Sequence, residues 1–547
     1  MRRAIVGYGA LGIVVALQGC GGNDKSTSHG KETGADGGGG APATGGAGGG
    51  GAGGVSGAGP GSGGADAGAT PDSGSGSGAG GIDGGGPDAA VALRATAVDT
   101  HVVETGTVTN AVDLTKYDLA VLVFDAGTGT FSTHPPAITG AGSFEVATLP
   151  AGDRYVRYSL LGDAPSYVVT TSDALDLGMT RLGRPDIVHA KPGTELVLDV
   201  TGLESWQAGD GLDLYSVGSS AMGFDLPGKS GAPVANDTAL NAFTLAYAAG
   251  AQGYLIDGAK GDRAYLTQRA VRTFAGGGTY DTLTEAFALP AFTMTDAKAT
   301  TVSGAFTPVT QSSIDIDWKA SRFDAEVAAG NPAAVFSSRS LGGSAQREVD
   351  RGFYAGTPDV FRYVPDQGTD QVGTFGYGNP FPAAFGLVVS AGVTFTRDYT
   401  LPGTTPLTLV PFADTMVKGS SAVTLEPLVG PVKNFQIAGK DALVDEDAVG
   451  VTPTVTFDAP TTGTPGGYLI YISRLFDDGG ATNRILAGSV VTTTRKVVVP
   501  PGILSAGNSY VVSVTSVVRG NVDLNRQPLA TAYPLGRASV LSGIVTP

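Results

Sequence analysis

Cysteine is almost absent. Cys20 is the single one in 547 residues, which excludes an intrachain disulfide framework and any cysteine-based metal centre. Histidine is nearly as scarce: four in the chain, with only His101, His134 and His189 beyond residue 90, widely spaced and without an H-E-x-x-H or H-x-H pattern. A transition-metal site has little to be built from, and no cofactor is implied. The G-x-S-x-G nucleophile elbow is missing. Positive charge is short, with 34 Lys and Arg against 50 Asp and Glu for a net charge of −16. Such a balance repels phosphate backbones, so nucleic acid is excluded as a partner.

The N-terminus carries the most specific pattern. Arg2 and Arg3 precede an uncharged, largely apolar stretch from Ala4 to Leu17, too short to span a bilayer comfortably as a helix and of the length of a signal-peptide h-region. It ends in Leu17-Gln18-Gly19-Cys20. This ending resembles the lipobox of bacterial lipoproteins: an apolar residue at −3, a small residue at −1, then the cysteine that receives diacylglycerol. Gln18 stands where the family usually has Ala or Ser. The resemblance implies cleavage before Cys20, lipidation of its thiol, and attachment to a membrane through that lipid. Gly21 is not the Asp that holds many enterobacterial lipoproteins at the inner membrane, which favours the outer membrane. Arg2 and Arg3 leave with the signal peptide, taking the formal charge from −16 to −18 in the mature chain.

From Gly21 to Asp88 about 30 of the 86 glycines are mixed with Ala, Ser and Asp. Nothing in such a stretch can form a core. A Gly-rich coil of this length has an r.m.s. span of about 45 Å, enough to hold a folded domain clear of a membrane surface. There is no strict Gly-X-Y register, which excludes collagen.

Beyond Asp88, short alternating runs broken by Gly, Pro, Asn and Asp predict an all-β fold: several antiparallel β-sandwiches behind a disordered Gly-rich tether. Leu119 to Phe124 is one continuous apolar run. Ala239 to Ala248 sets Phe243, Leu245 and Tyr247 on alternate positions, as in a half-buried strand. Residues 91–190, with Gly106-Thr-Val108 and the phrase G-x-F-x-V-x-x-L-P-A-G from Gly142 to Gly152, resemble the small transthyretin-like sandwiches of carboxypeptidase regulatory domains. Residues 433–547 resemble a fibronectin type III domain. Leu504-Ser-Ala-Gly507-Asn-Ser-Tyr510-Val-Val-Ser-Val514 fits L-x-x-G-x-x-Y-x-V-x-V, and Phe457 stands where that family usually has tryptophan. The resemblance implies a Tyr510 ring packed inside with its hydroxyl on an upstream backbone group, and a spacer or interaction module. The expected organisation is signal peptide 1–19, tether 20–90, transthyretin-like sandwich 91–190, a β-rich region of no recognised family at 191–432, and the type III-like sandwich 433–547.

Candidates for chemistry are weak. Gly223 to Ser230 fits the P-loop expression G-x-x-x-x-G-K-[ST], but Gly231 and Pro233 come at once after it, and a P-loop must open a helix. Asp315 and Asp317 alternate with Ile314, Ile316 and Trp318, which predicts a solvated acidic face opposite a buried apolar one. The acidic runs Asp445-Glu446-Asp447 and Asp477-Asp478 lack calcium-loop spacing. Phe375-Gly-Tyr377-Gly-Asn379-Pro-Phe381 reads as a rigid loop showing flat apolar faces, so Phe375, Tyr377 and Phe381 are the expected contacts to an envelope polysaccharide or protein. The functional expectation is a lipid-anchored envelope protein that binds or spaces, not an enzyme. An extracytoplasmic enzyme of unrecognised family and a purely structural envelope component are the alternatives.

Overall fold

The computed structural model describes residues 91–547 apart from 151, 224–227, 247–252, 275–276, 349–357 and 366–368. The expected signal peptide, Cys20 and the expected tether lie outside the described residues. The described part forms one compact unit and is all-β, with a single α-helix among the described residues. No described helix is long and apolar enough to cross a membrane.

Four two-layer packings succeed one another along the chain. In the first, the sheet Ala174–Asp176, Val91–Thr96, Ser143–Leu149, Ala137–Gly140 covers the strands Tyr117–Asp125, Arg154–Leu160 and Ser166–Thr170. A hairpin, Val98–Val103 with Gly106–Ala111, extends from it. The second sets Gly228–Ser230, Ala239–Ala246, Glu195–Thr201 and Ala299–Ala305 against Gly211–Ser216, Tyr265–Thr273 and Thr279–Ala288. The third sets Gln371–Gly378, Gln311–Trp318 and Ala422–Leu425 against Asp359–Tyr363, Val335–Arg347, Phe385–Tyr399 and Phe412–Lys418. In the fourth, Lys433–Ile437, Thr454–Asp458 and Lys496–Val498 cover Thr482–Thr492, Gly467–Asp477, Ser509–Arg519 and Leu535–Leu541. That is the two-sheet sandwich the type III resemblance implied.

The inner layers are not separate sheets. Asp281 pairs with Arg362, joining the second packing to the third. The pairs from Ala413–Ala538 to Met416–Leu535 join the third to the fourth. Ser489, Val490 and Val491 pair in parallel with Ser166, Tyr167 and Val168, joining the fourth to the first. The result is one sheet of 20 strands in which the first packing is the sheet neighbour of the last.

This explains the continuous run Leu119 to Phe124. A strand covered on one face alternates, whereas one covered on both reads as unbroken apolar sequence. Ala120 and Leu122 enter the core of the fourth sandwich beside Phe457 and Ile470. Val121 and Val123 enter the core of the first beside Phe144, Leu469 and Val517.

The helix, Ala320–Gly330, buries Ala320, Phe323, Val327 and Gly330, a spacing of three and four that makes one face. Asp370 caps its start, its Oδ1 accepting from the Ser321 N–H at 3.0 Å and from the Ser321 hydroxyl at 2.7 Å. Those bonds hold the Asp370 carboxyl below its ordinary pKa. At the other end buried Asn331 donates to Val327 O and Ser539 O and accepts from Leu541 N. The helix is thereby pinned to the strand Leu535–Leu541.

Candidate functional site

The aromatic stretch expected to be an exposed loop is a strand, Gln371–Gly378, followed by a turn. Phe375 is 1% exposed. It stacks on Phe274 with centroids 4.8 Å apart and on Phe361 at 5.7 Å. Phe381 is 6% exposed and meets Tyr215 and Tyr265 edge-on at 5.8 and 5.1 Å. Neither ring offers a face to a ligand, which corrects the exposed-platform expectation for these two. Tyr377 is half-buried, 6.3 Å from the Phe361 ring.

The glycines explain the misreading. They mark close approach rather than a loop. A Cβ on Gly373 would lie 2.7 Å from the Phe274 ring, and one on Gly378 would lie 2.6 Å from Leu283 O. This strand lies against aromatic residues of the second packing, and Gly376 N–H donates to the Tyr280 hydroxyl at 2.8 Å.

The other candidates resolve as structural groups. Gly228–Ser230 is a strand paired with Ala239–Ala246, so Lys229 and Ser230 open no helix; residues 224–227 of that motif lie outside the described residues. Ile314, Ile316 and Trp318 are buried. Asp315 on the opposite face accepts from Thr374 Oγ1 at 2.6 Å, and Asp317 pairs with Lys319 at 2.8 Å. Asp445 accepts from Ile544 N, Glu446 pairs with Lys440, and Asp477 accepts from Gly480 N. Among the described residues no three His, Cys, Asp or Glu side chains gather as a metal site. His134 meets Ser132 Oγ, and His189 lies against the Tyr254 ring. Buried His101 places Nδ1 2.8 Å from Gly183 O; a carbonyl only accepts, so Nδ1 carries the proton. Burial lowers its pKa.

A dense polar junction lies where the first packing meets the second. Arg184, just past the strand Thr180–Leu182, donates from Nε to Asp262 Oδ1 at 3.1 Å and from Nη1 to Asp186. Asp262 also accepts from Asp257 N, and Lys260 reaches Asp186 at 2.5 Å. Hydrogen bonds from Lys260 and Arg184 hold the Asp186 pKa down at about 2. Arg184 N–H donates to Gly218 O at 2.7 Å. Gly218 admits this approach because a Cβ there would sit 2.5 Å from Asp262 Oδ1.

Glu104, at the turn of the Val98–Val103 hairpin, projects into the same junction and is 5% exposed. Neither carboxyl oxygen has a hydrogen-bond partner of ordinary geometry, while its backbone carbonyl accepts from Arg347 Nη2 at 2.7 Å. Burial pushes its pKa up to about 7, opposed by the Tyr265 hydroxyl, the Arg263 charge and the Gly218 backbone. No feature of the sequence marks this glutamate, since Val-Glu-Thr-Gly reads as an ordinary solvated hairpin turn.

No family model matches the chain, and no curated protein does. Among solved structures, the chicken CNTN1 FN1–FN3 domains align over 78% of this chain and 91% of theirs at 8% identity, with a TM-score of 0.13. Escherichia coli alpha-2-macroglobulin activated by porcine elastase aligns over 84% of this chain and 42% of its own at 9% identity, also with a TM-score of 0.13. Both scores lie far below that of a shared fold.

Proposed function

We propose that the chain is a lipid-anchored protein of the bacterial cell envelope, held through Cys20 at the outer membrane, whose joined β-sandwiches act as a binding or spacing body. The observation that carries the anchoring is Leu17-Gln18-Gly19-Cys20 at the end of an apolar stretch behind Arg2 and Arg3. The spacing role draws on the shared 20-stranded sheet, because a body continuous through its hydrogen-bond ladders holds its surfaces at fixed separation where a string of independent modules does not. The transthyretin-like reading of residues 91–190 and the type III reading of 433–547 belong to this proposal as its spacer or interaction modules. The ligand contact is assigned to Tyr377, since Phe375 and Phe381 are core side chains. The ligand class is an envelope polysaccharide or protein.

The test pairs anchoring with binding. Labelled fatty acid is expected on the wild-type chain and absent from Cys20→Ala, which should leave the membrane fraction. Tyr377→Ala is expected to weaken retention on peptidoglycan or surface polysaccharide while moving the melting temperature little. Label persisting on Cys20→Ala sinks the anchor. Unchanged binding by Tyr377→Ala returns that ring to a packing role.

A further inference from the structure

Glu104 belongs to the first packing yet is enclosed by groups of two others. Gly218, Arg263, Tyr265 and Asp262 of the second packing act on its carboxyl, and Arg347 of the third holds its backbone carbonyl. Taking a carboxylate out of water costs more than taking out the neutral acid, and neither carboxyl oxygen makes a hydrogen bond of ordinary geometry to offset that cost. The neutral acid therefore suits this enclosure better than the carboxylate. We propose that the hairpin tip carrying Glu104 is a proton-controlled latch, seated between the second and third packings while the carboxyl is protonated and loosened when it ionises.

The charged groups around Glu104 are engaged with other partners. Asp262 is tied to Arg184 and to Asp257 N. Asp186 is tied to Lys260 and Arg184, which hold its carboxyl ionised far below neutral pH. Arg347 lies with its guanidinium over the Phe385 ring at 5.3 Å. On the hairpin itself, burial lowers the pKa of His101. Glu104 has a pKa raised from 4.5 to about 7 in the seated state. A raised carboxyl pKa stabilises the seated form fully below 4.5, and that contribution is lost as pH rises through 7. From those two values the opening equilibrium rises roughly tenfold between pH 6 and pH 8. The device is independent of what the protein binds.

Hydrogen exchange on the full mature chain, corrected for the intrinsic pH dependence of exchange, reads the opening. The reporters are peptides spanning 98–110, 183–188 and 216–221, with 467–477 as internal reference. The expected result is a roughly tenfold loss of protection in the reporters from pH 6 to pH 8, absent in Glu104→Gln. Tyr265→Phe removes a group that holds the pKa down, so its midpoint should move to higher pH. Flat wild-type protection, or the same loss in Glu104→Gln, overturns the latch. If Glu104→Gln fails to fold, a Tyr265→Phe midpoint that stays put or moves down overturns it equally.

Discussion

The outer layers and the shared sheet obey different rules. Glu195–Thr201 and Thr454–Asp458 alternate buried and more exposed positions, as strands with one face in solvent must. Leu535–Leu541 is buried at all seven positions and Gly211–Ser216 at all six. A strand enclosed on both faces has no solvent side on which to place polar residues, so its charges need partners inside. Arg519 finds the carbonyls of Pro528 and Ala530, and two other arginines find carboxylates. Arg269 Nε meets Asp213 at 2.5 Å, and Arg537 grips Asp414 with Nε at 3.1 Å and Nη2 at 2.5 Å. Asp414 and Arg537 face each other across the seam between the third and fourth packings. For Arg537 burial lowers the pKa, but the Asp414 carboxylate outweighs it and the net shift is upward. The buried Asp414–Arg537 pair thus fastens a seam of the shared sheet, whereas the outer pair Arg94–Glu145 is largely solvated.

The largest effect expected from this contrast is at that seam. Asp414→Ala removes the carboxylate that a buried guanidinium grips and should cost about 3–5 kcal/mol in a denaturant melt; a loss under about 1 kcal/mol, the range of exposed pairs, would place the pair in solvent. An intermediate effect is expected at Tyr510, 1% exposed, whose hydroxyl accepts the Ser505 N–H at 2.9 Å. Tyr510→Phe keeps the ring and loses that bond, for about 1 kcal/mol. No change would mean that the corner is held by packing alone. The smallest belongs to the outer pair Arg94–Glu145, whose arginine side chain is 76% exposed. Arg94→Ala should stay within about 1 kcal/mol, and a larger loss would blur the distinction between layers.

The same distinction decides what is legible in the sequence. Alternation gives away Gln311–Trp318 and most of Ala239–Ala246, and the L-x-x-G-x-x-Y phrase anticipates both the burial of Tyr510 and the bond its hydroxyl makes. Phe457, in place of the family's tryptophan, fills the core edge-on to Tyr468 at 4.7 Å. The seams are illegible because they join segments far apart in the chain, from 81 positions at Asp281–Arg362 to 323 at Ser166–Ser489: nothing local in Ser-Tyr-Val at 166–168 names Ser489 as its neighbour. Leu-Gly-Arg-Ala-Ser at 535–539 looks like surface until its partner strand is known. The helix has a signal in the spacing of Ala320, Phe323 and Val327, but so short and alanine-rich a run does not stand out among strands. At the aromatic stretch, glycine read as a loop former proves to be clearance for Phe274 and Leu283, information that resides in the neighbour and not in the motif. Glu104 is invisible for the same reason.

The central claim, that the first packing is bonded edge to edge with the last, has a direct chemical test in a chain whose only cysteine is Cys20. Ser166 and Ser489 are register partners with hydroxyl oxygens 2.9 Å apart. In a Cys20→Ala background, Ser166→Cys with Ser489→Cys should form a disulfide in nearly every molecule under mild oxidation. The bond should appear as a reducible mobility shift and as a linked peptide pair in a digest. Two free thiols in a folded protein under the same conditions would contradict the shared sheet.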